Sequence, residues 1–304
     1  MDVLLNTIYV GPMKIKMPKT SLSLDSKYIK LSTEVEGIKI TVLNCYENKL
    51  SKDLRYSIPY LKTMKVHIIK NGDYSYNNDI LVYCYNFIIF LKKYCIVFPQ
   101  SDLFIISGFN EFENASWNGS YMLVGNGFTG SSKALCSPCI IGHELFHCVI
   151  QNQNDLDYFG ESGSLNEFYA DLFGIMFERY IFFHRCNSIG FEIGSELFKD
   201  NHSFRSYIDP HINGMPCSIS DSLFYKGEND KQGVHHNATV IGHLFYQMQL
   251  HEDKKNIFLL FISVFHKLKH NSNFMDFKIL ILNEIPQFNF LEEPKLINII
   301  NSIL

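Results

Sequence analysis

The run His143-Glu144-Leu145-Phe146-His147 constrains this chain more than any other stretch. It sits inside Cys139 to Ile150, where apolar residues dominate and neither Gly nor Pro follows Gly142, so the pattern predicts a helix. On a helix, residues i and i+4 share a face, and His143 and His147 can aim two imidazoles at one metal ion. Glu144 points beside that face, within reach of a metal-bound water but not needed as a ligand. Two histidines at this spacing also occur on ordinary solvated helices. A catalytic zinc needs a third protein ligand and an open coordination position, so the rest of the chain decides.

Nineteen residues separate His147 from Glu167, which lies in the segment Glu161-Ser162-Gly163-Ser164-Leu165-Asn166-Glu167-Phe168-Tyr169-Ala170-Asp171. Ser162 or Ser164 is expected to cap a helix that carries Glu167 and Asp171 on one face. One carboxylate can then bind the metal while the other fixes the tautomer of a ligating histidine. A plain acidic helix face is the bland reading of this segment taken alone.

With 304 residues, 46% of them hydrophobic, the chain can bury the core of one large domain or two lobes. Its net charge of −4, with lysines spread rather than striped, gives no nucleic-acid footprint. The apolar runs, such as 87–91 and 257–264, are too short to span a bilayer, and the first residues lack the basic and apolar regions of a Sec signal. A soluble protein is expected. Eight cysteines form no dense framework and read as mostly reduced, buried thiols, which favours a reducing compartment at some stage. A redox or zinc role for Cys136-Ser137-Pro138-Cys139 has no second C-x-x-C to support it.

Along the chain, residues from about 5 to 100 read mainly as strands and turns, with strands at 38–43 and 65–69. Asn71-Gly72-Asp73 and Asn77-Asn78-Asp79 punctuate them, and 80–98 reads as a buried helix. Between Asn114 and Phe128 the pattern is a hairpin turning at Asn118-Gly119, whose edge could accept an extended peptide as an added strand. Beyond Ile140 the periodicity is helical through 165–180, 239–250 and 257–268. The fold class is therefore α+β: a β-rich N-terminal lobe, 1–150, ending in the motif helix, and an α-helical C-terminal lobe, 151–304.

Taken in order, His143-Glu144-x-x-His147 and Gly163-Ser164-Leu165-Asn166-Glu167-x-x-x-Asp171 resemble the thermolysin-like family of zinc metalloendopeptidases, the neutral proteases. Phe204-Arg205-Ser206-Tyr207-Ile208-Asp209-Pro210 is similar to the family's Arg-Ser-x-x-Asp-Pro segment. Asp230 to Asn237 is similar to its Gly-Val-His-x-Asn segment, and Asn114-Ala115-Ser116-Trp117 to its Asn-Ala-x-Trp substrate strand. Tyr158 lies nine residues before Glu167, where the family keeps a tyrosine. The resemblance runs from about Asn114 to Ile281.

It implies a two-lobed thermolysin-like fold and one catalytic Zn2+ held by His143, His147 and Glu167. Glu144 is the implied general base acting on a zinc-activated water, with His235 and Tyr158 stabilising the oxyanion and Asp230 orienting His235. Asn114, Ala115 and Arg205 are implied to bind the peptide backbone. Ile140, Ile193, Phe204 and Leu135 are implied to line an apolar pocket for the residue after the cut, which favours bulky hydrophobic side chains. Asp171 and Asn166 support the zinc histidines. The partners implied are peptide or protein substrates, and the chain is expected to act as a monomer.

The family's acids for Ca2+ are matched by Glu178 and Glu192, but Cys139, Gly190 and Ser195 stand where three others belong, so a double calcium site is not expected. The resemblance implies a secreted protein. The missing Sec signal leaves a cytoplasmic location or non-classical export open. One rival reading is a catalytically silent zinc protein that captures peptides on the Asn114–Ala115 strand; a binder has no need of Glu144, His235 and Tyr158 together. Another is an aminopeptidase, but no acidic Gly-x-Met-Glu-Asn-type motif precedes His143.

Overall fold

The computed structural model describes residues 21–24, 28–45, 74–109, 112–127, 135–182, 190–198 and 202–304. The strand expected at 65–69 and the turn at 71–73 lie outside these. The chain divides into two compact units. The first takes its residues from 1–148, 174–189 and 196–202; the second from 149–173, 190–195 and 203–304.

The first unit is built on a six-stranded sheet. Its strands are β1 (Ser21–Leu24), β2 (Tyr28–Val35), β3 (Ile38–Cys45), β4 (Asp102–Phe109), β5 (Ala115–Trp117) and β6 (Met122–Gly125), in the order β1-β2-β3-β4-β6-β5. β4 runs parallel to β3 and to β6; the other pairs are antiparallel. A parallel pair needs a long crossover, and helix α1 (Tyr74–Lys92) supplies it between β3 and β4, packing on β2 and β3. Ile40, Val42, Leu103 and Ile105 of the sheet and Ile80, Leu81, Cys84 and Phe87 of α1 are all buried and belong to the core of this unit.

Asn77-Asn78-Asp79, expected as punctuation, lies inside α1. The helix cost of Asn and Asp is roughly 0.7 kcal/mol each. The buried apolar stretch that follows outweighs it. The helix expected over 80–98 is present but ends at Lys92. Two further helices contribute: the N-terminal part of α2 (Pro138–Gln153) and the C-terminal part of α3 (Gly160–Ile181).

In the second unit a short ribbon, β7 (Glu192–Ile193) with β8 (Arg205–Ser206), accompanies α4 (Asn229–Met248), α5 (Lys254–Phe265), α6 (Phe274–Glu284) and α7 (Glu293–Ile303). Its core is aromatic: Tyr169 and Phe173 of α3 pack on Phe258 and Phe265 of α5, and Phe261 packs on Phe277 of α6. The buried Tyr169 hydroxyl donates to the Phe261 carbonyl, 3.0 Å, so no polar atom is stranded there. Asp253 caps α5, and Asn273 with Asp276 forms a capping box on α6.

Neither Ser162 nor Ser164 caps α3, contrary to expectation, because the helix already starts at Gly160. Both hydroxyls instead donate to carbonyls, Ser162 to His270 at 2.7 Å and Ser164 to Gly160 at 3.0 Å. Among the described residues no helix is long and apolar enough to cross a membrane.

Candidate active site

The first unit carries the motif. Ser137 starts α2, its hydroxyl accepting from the Ile140 N–H at 3.2 Å, and Pro138 takes the first helical position, where its missing N–H costs nothing. This start signal is present in the sequence and sharpens the expected helix. Leu145, Phe146 and Ile141 are fully buried. The helix is set by a close backbone approach: a Cβ on Gly174 would come 2.5 Å from the Cys139 carbonyl oxygen, and one on Gly142 would come 3.1 Å from the Gly174 Cα. At Gly174 a side chain would collide with that backbone, and at Gly142 it would be crowded.

His143 and His147 then bring their Nε2 atoms to 3.0 Å from each other. Two nitrogens bound to one tetrahedral zinc lie about 3.3 Å apart, so the pair already has the spacing of a chelate. Glu144 Oε1 is 4.0 Å from His143 Nε2, and its Oε2 accepts the Trp117 N–H at 2.7 Å. That backbone contact follows from the sheet. Asn114 and Asn118 use their backbones toward β6, through Gly125 N–H to the Asn114 carbonyl and Asn118 N–H to the Tyr121 carbonyl. By alternation, Ala115 and Trp117 present theirs at the outer edge of β5. Ala115 N–H is taken by the Asn114 side chain at 3.0 Å. The turn at Asn118-Gly119 is as expected, with Asn118 Oδ1 accepting from Ser120 and Tyr121. Trp117's part in holding Glu144 was not foreseen from its place in the Asn-Ala-x-Trp segment.

The second unit carries a polar cluster around Glu167, which is fully buried. The Tyr158 hydroxyl donates to Glu167 Oε1, and His235 Nε2 lies 3.1 Å from that hydroxyl and 3.4 Å from Glu167 Oε1. On the far side of the ring, Asp230 Oδ1 meets His235 Nδ1 at 2.6 Å while its Oδ2 accepts the His235 N–H at 3.0 Å. The local backbone explains this grip. Asp230, Lys231, Gln232 and Gly233 all have φ between 48° and 78° with positive ψ, one left-handed turn at the start of α4. Each non-glycine residue there costs roughly 1–2 kcal/mol. Such strain persists where surrounding contacts over-determine it. One of them is the approach of Val234 to Gly163, whose added Cβ would lie 2.4 Å from Val234 Cγ1. Lys231 Nζ sits 4.4 Å from the Tyr158 ring centre.

Arg205 is buried and grips Asp171 in two contacts of 2.6 Å, Nε to Oδ2 and Nη2 to Oδ1, with Glu167 Oε2 3.6 Å from Nη2. Burial works against the guanidinium charge, but the Asp171 and Glu167 carboxylates hold its pKa above the ordinary value. Tyr207, fully buried, donates to Asp171 Oδ2 at 2.7 Å. Burial, and then the Asp171 charge, push its phenol well up, so it stays a donor. Tyr207 is the residue sequence reasoning missed, though it stands in the quoted Arg-Ser-x-x-Asp-Pro segment. Asn166 donates to the Leu156 carbonyl at 3.1 Å.

Of the apolar set, Ile140 and Leu135 are buried in the first unit. Ile193 is buried in the second, where the ribbon sets Phe204 beside Gly194 with its ring 36% exposed. Cys84, Cys95, Cys136, Cys139, Cys148 and Cys217 are not joined in disulfides.

Comparison with known proteins bears on both units. Residues 103–151 match the family model "Thermolysin metallopeptidase, catalytic domain", and residues 154–285 match "Thermolysin metallopeptidase, alpha-helical domain". Bacillolysin of Bacillus cereus is 37% identical over 144 residues, 45% of this chain and 24% of that protein. A zinc metalloproteinase of Listeria monocytogenes is 35% identical over 144 residues, 46% of this chain and 27% of its own. Thermolysin of Alicyclobacillus acidocaldarius is 33% identical over 145 residues, 44% and 24%. The matched stretch thus spans about a quarter of these relatives' length. The solved structure of the precursor of protealysin from Serratia proteamaculans superposes with a TM-score of 0.70, covering 90% of this chain and 89% of that one at 18% identity, a likeness of fold.

Proposed function

Because the chain belongs to the thermolysin family of metallopeptidases, we propose that it is a zinc-dependent endopeptidase that hydrolyses internal peptide bonds. One observation carries this reading: the 3.0 Å Nε2 pair of His143 and His147, with the Glu144 carboxylate held beside it by the Trp117 N–H. A helix face that merely faced solvent would not bury His143 and Glu144 with a backbone donor aimed at the carboxylate.

His143, His147 and Glu167 would hold the zinc, two nitrogens and one carboxylate oxygen being a donor set typical of catalytic zinc. When bound, zinc supplies a Lewis acid that polarises the scissile carbonyl and lowers the pKa of water toward about 7. Glu144 takes a proton from the attacking water and delivers it to the leaving amine. The Trp117 contact keeps one of its oxygens fixed and leaves the other for that transfer. Tyr158 and His235, already 3.1 Å apart, donate to the oxyanion, and Asp230 fixes which ring nitrogen of His235 faces them.

The substrate lies along the outer edge of β5, held by the Ala115 backbone and the Asn114 side chain. Arg205 Nη1 is the guanidinium nitrogen outside its contacts with Asp171 and Glu167, and it is the one that reaches a substrate carbonyl. Asp171 and Asn166 support the ligand set from behind. Ile140, Leu135, Ile193 and Phe204 favour a bulky apolar residue just after the cut, and the Phe204 ring makes that pocket shallow.

The test is cleavage of internally quenched peptides blocked at both ends, with Phe, Leu, Gly or Asp after the expected cut. Cleavage before Phe and Leu, abolished by a zinc chelator and restored by zinc, is the expected result. Cleavage only of peptides with a free amino terminus would replace the reading with an aminopeptidase. A preference for Gly or Asp would remove the apolar pocket.

A further inference from the structure

The second unit holds another group of metal-binding donors, on the loop between β8 and α4. His211 Nε2, Cys217 Sγ and Asp221 Oδ2 lie together, all within 4.8 Å of one another. Asp221 Oδ2 is 2.7 Å from His211 Nε2 and 3.2 Å from Cys217 Sγ. None of the three belongs to the Glu167 cluster. We propose that these residues form a second cation site, for a zinc-class divalent metal, distinct from the one at the motif helix.

The donor chemistry selects the metal. One imidazole nitrogen, one thiolate sulfur and one carboxylate oxygen suit zinc and its neighbours, whereas calcium and magnesium take oxygen ligands almost alone. In a tetrahedral zinc site the nitrogen and oxygen would be about 3.4 Å apart and the sulfur and oxygen about 3.6 Å. Each present distance needs to open by less than about 1 Å, which the metal does by replacing the hydrogens that now bridge these atoms. Half of the His211 side chain is exposed, so a fourth ligand from solvent has room.

The backbone that carries the donors is pinned on every side. His211 sits in a helical turn, Pro210–Asn213, that Asp209 caps and Gly214 ends. The Pro216 carbonyl, just before Cys217, accepts from buried Thr239 of α4 at 2.8 Å, and Ile219 N–H reaches the Ile303 carbonyl of α7 at 3.0 Å. Asp221 Oδ1 accepts the Leu223 N–H at 3.0 Å, and Oδ2 accepts the Cys217 N–H at 3.0 Å. An ordinary polar loop would account for Asp221 as a turn-former. It gives no reason for a thiol and an imidazole to converge on the same oxygen.

Such a site would brace the segment leading to the left-handed turn. Leu223 and Tyr225, which close the loop, hold His236 and Asn237 of α4 through hydrogen bonds. A cation on His211, Cys217 and Asp221 therefore stiffens the backbone on which His235 rides, without touching His235.

Cobalt(II) separates this site from the catalytic one, because only a thiolate ligand gives a sulfur-to-cobalt charge-transfer band and the motif-helix set has no cysteine. The full chain, stripped of bound metal by a chelator, is titrated with cobalt(II). The expected result is a charge-transfer band that saturates by two cobalt per chain, one of them at the thiolate, with a melting temperature that rises with cobalt. The band is lost in C217S and weakened at least tenfold in apparent affinity in H211A, at an exposed side chain whose loss leaves the fold intact. It is unchanged in C136S, which controls for the C-x-x-C. No band in the wild type, a band that survives C217S, an apparent cobalt affinity unchanged in H211A, or a band that C136S removes, would each overturn the proposal. None of these readouts depends on peptide cleavage, so a failure here and a failure of the endopeptidase reading are told apart.

Discussion

The motif helix and the segment around His235 place their chemistry by opposite means. His143, Glu144 and His147 ride on a regular helix sealed by apolar side chains and by a glycine-to-backbone contact at Gly174. His235 follows four consecutive left-handed residues, and its side chain is 45% exposed; charge and hydrogen bonds hold it. On the proposed reading, packing fixes the residues that would hold an ion, and strain balanced by a carboxylate fixes the residue that would meet a transient charge. The first arrangement should break by unfolding, the second by losing turnover with the fold intact.

The sharpest way to break the contrast is at Gly174. Gly174→Ala forces a Cβ into the Cys139 carbonyl, and the expected cost is roughly 3 kcal/mol or more, read as a large fall in denaturant midpoint with activity lost alongside. A near-neutral effect would mean that the helix contact is not what sets the motif. Next, His235→Ala and Asp230→Ala should each lower kcat by on the order of 10²-fold while shifting the melting temperature little. Equal losses of stability would erase the distinction between the two regions.

A smaller effect is expected at Tyr207→Phe. It leaves Asp171 Oδ2 with one donor fewer in a buried site, at a cost of about 2 kcal/mol in unfolding free energy. Smallest is a control in the second unit, away from both regions. Burial disfavours charge on Glu284, but hydrogen bonds from Lys267 and Ser263 hold its carboxylate below the ordinary range. A depressed folded-state value means the stabilisation is present above the unfolded pKa and is lost as pH falls through the folded one. Lys267 is half-exposed, so Glu284→Gln should cost only about 1 kcal/mol near neutral pH, and less in acid. An acid-independent cost would show the effect to be packing.

Much of this was legible in the sequence, and the reason is periodicity. Helix spacing foretells the helical faces that carry His143 and His147 and, separately, Glu167 and Asp171; strand alternation foretells the edge of β5. What escaped has no period. The left-handed turn is spread over Asp230-Lys231-Gln232-Gly233, and only the glycine advertises positive φ. Tyr207 looks like any of 17 tyrosines until its hydroxyl is seen on Asp171. The serines of α3 were read as caps because a hydroxyl near a helix start usually accepts a backbone N–H; here both donate. The asparagines of α1 were read as punctuation because local preference says so, and burial overrode it. His211, Cys217 and Asp221 are four to ten residues apart in an irregular loop, a spacing that resembles no metal motif. Burial also hides chemistry: the Cys148 thiol, on the motif helix itself, is pushed up to about 12.

The most direct measurement is zinc content and turnover on one end-blocked peptide for wild type, Glu144→Gln and His143→Ala. The account predicts about one zinc per chain in the wild type and in Glu144→Gln once the loop site is removed by C217S in all three. Turnover in Glu144→Gln should fall by on the order of 10³-fold, with zinc and turnover both lost in His143→Ala. Wild-type turnover in Glu144→Gln, or tightly held zinc without cleavage of any blocked peptide by the unsubstituted chain, would contradict it.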